Sequence, residues 1–263
     1  MAIRPTLHPL DRANGSATYN SPSGHSILAA VNGPVEVQRR DELLDEAHIE
    51  VNVRPSDGIG QVKERHLETI IARVLRNVVL VELFPRQMVQ LTLQIVQAPV
   101  DDDAIGRTNP QAESVCPSFP LPRPLLLLNF ADESLHQYLT VLPWLLNAAC
   151  LALLDGAIPM RHIFTSTLLA VTPNGVVTKI ASIKDIKAAT SLHMLTFNSE
   201  GGLLAVESEG LFTMDEWDLV EGKARGLCIG DADAMADGER PERALLDDIK
   251  DALKEKIKKG HQG

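Results

Sequence analysis

Residues 61–83 read as one amphipathic helix between two alternating strands, and that order commits the chain to helices packed on sheets. Leu67, Ile70, Ile71, Val74, Leu75 and Val78 recur at three-and-four spacing, while Lys63, Arg65, Glu68, Arg73 and Arg76 fall largely outside that face. Before the helix, Ile49, Val51 and Val53 alternate with Glu50 and Asn52 over residues 46–53. After it, Leu91, Leu93 and Ile95 alternate with Gln90, Thr92 and Gln94 over residues 88–97. A period of two with one polar face marks a half-buried strand. Pro85 is expected to stop the helix.

The remaining segments extend the same plan. Residues 25–31 form a small, apolar run that reads as a buried strand, closed by the turn chemistry of Asn32-Gly33-Pro34. A second buried helix is expected over 134–156, rich in Leu and Ala, with Pro143 marking a kink or its true start. Strands are expected at 125–130, 163–171, 175–180, 191–197 and 203–206, and residues 214–259 read as helical at both ends. Residues 98–124 carry Asp101, Asp102, Asp103 and a series of prolines, and residues 229–241 are acidic, so both read as insertions or loops. The expected architecture is α+β, an α/β sandwich of two βαβ-type halves with mixed sheets packed on helices, in a single domain over 1–263.

Composition narrows the classes of function. The 263 residues are 44% hydrophobic, enough for a real core, and no run of about 18 apolar residues suggests a membrane span. The N-terminal residues lack an apolar h-region, so no secretory leader is expected. Three well-separated cysteines argue against a disulfide framework or zinc site and fit a reducing compartment. The net charge is −10, with 10 Lys and Arg against 11 Asp and Glu in residues 1–97, but 15 against 24 in residues 98–263. A free-standing RNA-binding protein is not expected to be this acidic, so any contact with nucleic acid falls to a local basic patch in the first half, helped by partner chains.

Three ordered blocks resemble the RNase PH family. The first runs from Asp11-Arg12-Ala13-Asn14-Gly15-Ser16-Ala17 through Gly24-His25-Ser26 to Gly33-Pro34-Val35-Glu36-Val37. The second is the helix containing Arg65 and Arg76, leading to Phe84-Pro85-Arg86. The third is Asn147-Ala148-Ala149-Cys150-Leu151-Ala152, ending in Asp155-Gly156-Ala157-Ile158-Pro159-Met160. Within the family the likeness is to the non-catalytic RNase PH-like ring subunits of the eukaryotic RNA exosome. It spans residues 7–97 and 134–227 and implies an RNase PH-like fold.

The resemblance also implies a site at which chemistry can be checked. Active members hold phosphate in a Gly-Gly-Thr/Ser-Arg turn just before the second helix, where backbone N–H groups and an arginine bind the anion. The matching stretch here is Leu139-Thr140-Val141-Leu142-Pro143, with no glycine, no arginine and one residue lacking an N–H. Acidic residues of active members lie where residues 183–194 fall, and this segment offers only Asp185, between Lys184 and Lys187. Asp185 reads more readily as a solvated loop residue than as an acid catalyst, so no catalytic residue, metal site or cofactor is expected.

Other patterns are weaker. The acidic stretch from Asp231 to Glu239 has the wrong spacing for a calcium loop, and Gly58-Ile59-Gly60 serves a strand-to-helix connection as readily as an anion. His66 and His162 read as structural.

By resemblance, Lys63, Arg65 and Arg86 face the ring's central RNA path, with Arg39 and Arg40 as weaker candidates. The competing reading is an ordinary solvated helix face.

The implied role is a structural subunit of a hexameric ring of RNase PH-like subunits, joined by RNA-binding cap subunits and a separate nuclease. Its work would be RNA threading for 3′→5′ processing and degradation, including ribosomal RNA maturation, in the nucleus, nucleolus and cytoplasm and away from membranes. The rivals are an active phosphate-dependent 3′→5′ exoribonuclease, a homodimeric metal-dependent nuclease, and a small-molecule transferase. The last lacks a phosphate-binding glycine loop.

Overall fold

The computed structural model describes residues 5–40, 42–56, 58, 60, 62–98, 124–179, 183–230 and 244–260. Nearly all of the 98–124 insertion and most of the 229–241 insertion lie outside these residues. Among the described residues nine strands form two sheets. The first contains β1 (Thr6–Leu7), β2 (Gly15–Asn20), β3 (Ser26–Glu36), β4 (His48–Arg54) and β5 (Gln87–Gln97), in the order β1-β2-β3-β5-β4. The second contains β6 (Phe164–Val171), β7 (Val177–Lys179), β8 (Ser191–Asn198) and β9 (Leu203–Gly210), in the order β7-β6-β8-β9. The helices are α1 (Val62–Val78), α2 (Pro124–Asp155), the short α3 (Ile183–Ala188), α4 (Met214–Ile229) and α5 (Leu245–Gly260).

Alternation in sequence became one-sided burial in the first sheet. Leu91, Leu93 and Ile95 of β5 face inward beside Ile27, Ala29 and Val31 of β3, while Gln90, Thr92 and Gln94 stay half-exposed. The helix between β4 and β5 makes them parallel neighbours, with Val51 opposite Leu91 and Val53 opposite Leu93. The central strands β6 and β8 of the second sheet are buried on both faces, which is why β6 reads as Phe-Thr-Ser-Thr-Leu-Leu-Ala-Val without alternation. Leu168 and Ala170 join the core around α2, whereas Leu169 and Val171 pack with Val220, Ala224 and Leu227 of α4. Helix α2 touches β2 and β3 on one side and β6 and β8 on the other, so it lies between the sheets.

The α+β sandwich expected from sequence is borne out, and the two halves realise it differently. Among the described residues only β4-α1-β5 is a parallel βαβ unit; the strands of the second sheet pair antiparallel throughout.

Several segments depart from expectation. The helix expected over 61–83 ends at Val78, and a short 3₁₀ turn follows at Val81–Leu83. Arg161 N–H donates to Val78 O (2.8 Å) and Leu80 N–H to Pro159 O (3.1 Å), so pairing with the segment after α2 replaces helical bonds where β-branched valines make the helix weak. The turn expected at Asn32-Gly33-Pro34 is instead a bulge inside β3, which runs on to Glu36. Gly33, at φ 148°, lets Met88 O come closer than any Cβ allows, and its bond to Pro34 is cis. Residues 125–130, expected as a strand, belong to α2, whose first residue is Pro124; an unbroken leucine run carries no period that distinguishes helix from strand. Gly15–Asn20 is also a strand, and β3 pairs with all of it.

Tyr138–Asp155 is long and apolar enough to cross a membrane, but 78% of that window is buried inside the protein, as befits a core helix. Cys150 and Cys228 are free and buried, which pushes both thiols up to about 12.

Candidate functional site

The stretch Leu139 to Pro143, where a phosphate-binding turn is expected in an active relative, is the interior of a continuous helix. Leu139 and Leu142 are fully buried. Helical backbone N–H groups are spent on carbonyls four residues back, so none of them converges on an anion. Next to this stretch, Trp144 stacks on Tyr19 with ring centroids 6.2 Å apart. Asn147 then joins α2 to the second sheet: its Nδ2 donates to Ser166 O (2.9 Å) and its Oδ1 accepts from Ser166 N–H (2.8 Å). Its Nδ2 also reaches Tyr19 Oη at 3.4 Å, and burial pushes the Tyr19 hydroxyl well above its ordinary range. This stretch is thus filled by buried leucines and followed by an amide that ties one helix to two sheets.

The third family block ends at Asp155, whose side chain is inaccessible to solvent. Its Oδ2 accepts from Ser16 N–H (2.9 Å) and lies 3.4 Å from His8 Nδ1. Its Oδ1 pairs with Lys256 Nζ at 2.7 Å, and the same ammonium donates to Asp155 O (3.0 Å). These partners come from β2, the segment after β1, and α5. The carboxylate is held by a hydrogen bond at Oδ2 and an ion pair at Oδ1. Gly15 and Gly156 approach so closely that a Cβ on Gly15 would fall inside contact distance of Gly156 N and Ala152 O. The first and third sequence blocks therefore meet as one node.

The basic candidates do not converge. Lys63 and Arg65 occupy the first turn of α1. Arg65 Nη1 pairs with Glu68 Oε2 at 3.1 Å, and Glu68 Oε1 accepts from Val53 N–H (3.0 Å), which holds this pair beside the end of β4. Arg86 precedes β5 with φ 61°, its N–H donating to Leu43 O (3.1 Å) and its Nε lying 3.4 Å from Glu42 Oε1. His48 pairs with Met88, so Arg86 belongs to the end where β4 begins and α1 finishes. At 1.5 Å per residue of helix, it is roughly 20 Å from Arg65.

What gathers near Arg86 is a set of arginine–glutamate pairs. Arg76 Nη2 lies 2.9 Å from Glu46 Oε1, and Arg161 Nη2 lies 3.2 Å from Glu82 Oε1. Sequence reasoning passed over both pairings; the periodicity of α1 placed Arg76 off its apolar face, but nothing local paired it with Glu46. Arg39 and Arg40 follow β3 at the same end, since Glu36 pairs with Gln87. Asp185 lies on α3, half-buried. His66 packs edge-on against Tyr138 at 5.1 Å, and His162 Nδ1 lies 3.4 Å from Glu200. Among the described residues no three His, Cys, Asp or Glu side chains gather in a way that suits a metal ion. The stretch from Asp231 to Glu239 lies outside those residues.

A further buried polar group escaped the sequence reading. His193 of β8 has Ser191 Oγ 2.9 Å from Nε2 and Ser208 Oγ 2.9 Å from Nδ1. Phe212 stands edge-on to its ring at 4.6 Å and Trp217 lies at 5.7 Å. Burial pulls the imidazole below its usual range, partly offset by Glu216. Ser208 is fifteen residues away and meets His193 only through the β8–β9 register.

Known proteins resemble this chain in sequence and fold. The description RNase PH, 3′ exoribonuclease family, domain 1, matches residues 3–159. The exosome complex component RRP46 of Saccharomyces cerevisiae is 26% identical over 225 residues, covering 82% of this chain and 85% of that protein. The exosome complex exonuclease RRP46 homolog of Arabidopsis thaliana is 26% identical over 189 residues, covering 72% and 62%. The crystal structure of rice (Oryza sativa) RRP46 superposes with a TM-score of 0.64 at 23% identity, covering 86% of this chain and 87% of that one. An Archaeoglobus fulgidus exosome chain superposes with a TM-score of 0.60 at 12% identity, covering 86% and 84%. These two structural likenesses speak for the fold alone. With a family match over more than half its length and the fold to go with it, this chain belongs to the RNase PH, or 3′ exoribonuclease, family.

Proposed function

We propose that this protein is a non-catalytic structural subunit of an RNA exosome ring, built as a single RNase PH-like domain over 1–263 with insertions at 98–124 and 229–241. The observation that carries the non-catalytic reading is the continuous helix through Leu139 and Leu142, both fully buried where an active relative would cradle phosphate. The ring reading draws support from the name and coverage of the yeast relative. In this role the chain contacts other RNase PH-like subunits in a hexamer and cooperates with RNA-binding caps and a separate nuclease. It would serve 3′→5′ RNA processing and degradation, ribosomal RNA maturation included, in the nucleus, nucleolus and cytoplasm. Lys63, Arg65 and Arg86 are its proposed RNA contacts. Because Arg65 and Arg86 sit at opposite ends of α1, they would meet a threaded strand at different depths.

The test is mass spectrometry of the complex purified through this chain, which should recover other RNase PH-like subunits in equal amounts. A stable monomer without such partners overturns the reading. The word exonuclease in the Arabidopsis relative's name favours a second reading, an active nuclease. Phosphate-dependent release of nucleoside diphosphates by the purified chain, abolished by Asp185→Ala, would establish it.

A further inference from the structure

The corner where β9 turns into α4 places large apolar side chains in water. Leu211 is 84% exposed, Met214 71%, Leu219 53% and Phe212 42%. Single exposed apolar residues need no explanation, but a contiguous group of them marks a contact surface. Val176, also exposed, sits in the β6–β7 turn, and a Cβ at neighbouring Gly175 would lie 3.9 Å from Glu216 Oε1, so this turn abuts the same corner.

The corner is rigid. Thr213 and Glu216 form a reciprocal capping box, with Glu216 N–H donating to Thr213 Oγ1 (3.3 Å) and Thr213 N–H donating to Glu216 Oε2 (2.7 Å). Phe212 stands on His193 and lies 6.0 Å from the Trp217 ring. His193 is itself fixed by hydroxyls on both ring nitrogens. An aromatic anchor held this way loses little entropy when a partner covers it.

Charge selects the occupant. Asp215 and Asp218 lie exposed on the outer face of α4 beside Met214 and Leu219, and the cap bonds hold the Glu216 carboxyl below its usual range. Acidic side chains repel an RNA backbone and an anionic membrane alike, whereas they attract Lys and Arg. We infer that the β9–α4 corner is a protein docking surface, which takes an apolar side chain flanked by basic residues from a neighbouring subunit. The inference rests on the ring reading above and adds a contact to it.

The experiment uses the complex purified through the full chain, compared by native mass spectrometry with complexes carrying Leu211→Asp with Met214→Asp, or Asp215→Lys with Asp218→Lys. Each pair should lower the occupancy of one and the same neighbouring subunit by about tenfold, equivalent to about 1.4 kcal/mol, while the thermal midpoint of the isolated chain stays unchanged. Unchanged occupancy with both pairs overturns the docking surface and leaves the ring reading standing. Loss with the apolar pair alone overturns the basic partner. Dimers of this chain alone that dissociate on the same substitutions would assign the corner to a second copy and overturn the inference too. If the unsubstituted chain recovers no ring subunits, the ring reading itself fails, and the inference with it.

Discussion

Ser16 N–H donates to the carboxylate of Asp155 across 2.9 Å, joining residues 139 positions apart at the end of the central helix. The bond brings the glycine-flanked start of β2 against the last turn of α2, and Lys256 closes the same carboxylate from α5. A buried carboxylate is tolerated only when it is hydrogen-bonded or paired with a cation, and Ser16, His8 and Lys256 contact it from three separate chain segments.

Replacing Asp155 should therefore cost more than an ordinary surface charge. Asp155→Ala strands the Ser16 N–H and removes the counter-ion of Lys256, at an expected cost of about 3 to 5 kcal/mol. Lys256→Gln should cost only about 1 kcal/mol, because the lysine is partly exposed. Urea unfolding monitored by circular dichroism measures both, and equal losses would contradict the geometry.

Gly15→Ala should destabilise by about 3 kcal/mol or prevent folding, because the new methyl would meet backbone at Gly156 and Ala152 rather than a yielding side chain. The control is Gly58→Ala, where a Cβ meets nothing within 4 Å and only the positive φ of 78° opposes it. Its loss should be about 1 kcal/mol. The two thermal midpoints, measured side by side, provide the check.

Asn147→Leu should lower stability by about 3 kcal/mol, since it leaves the buried N–H and C=O of Ser166 without their amide partner. Volume is nearly conserved, so the loss reports hydrogen bonding rather than a cavity. Denaturant titration with an unchanged m-value is the expected signature.

His25 sits under the β2–β3 turn, where burial lowers its imidazole to about 4. The unfolded chain takes up this proton near the ordinary value of about 6.5, so below that pH the unfolded state binds more protons than the folded one. Stability from this group is therefore complete above pH 6.5 and is lost as pH falls toward about 4. His193, also lowered by burial, acts in the same direction. Unfolding free energies at pH 7 and pH 5 should differ, and His25→Gln should flatten the slope.

Arg65→Glu and Arg86→Glu should each weaken RNA protection by the assembled complex while leaving its composition intact. If each arginine neutralises a phosphate, each substitution should also reduce the salt dependence of RNA binding by roughly one unit of slope. Failure of assembly would instead place these side chains in subunit contacts.

Much of the scaffold was legible before any coordinates. The spacing of Leu67, Ile70 and Val74 and the alternation of Leu91, Leu93 and Ile95 report burial directly, because a helix or strand shows a fixed face to its neighbour. The absence of glycine and arginine from Leu139 to Pro143 could also be read locally. The end of α1 at Val78 could not, since it depends on the bonds of Leu80 to Pro159 and Arg161 to Val78 from a segment eighty residues on. Nor could the continuation of β3 through Pro34, which rests on Met88 passing close to Gly33.

The same division holds for the sites. Residue types and local periodicity established which elements form and which faces they bury. These properties depend on neighbours within one or two turns of chain. Tertiary structure alone decided that Arg65 and Arg86 stand at opposite ends of a helix, that Asp155 binds Ser16 and Lys256, and that Phe212 is propped on His193. Those relationships arise from strand register and layer packing, which bring distant residues within hydrogen-bond reach and leave no periodic trace in the chain itself.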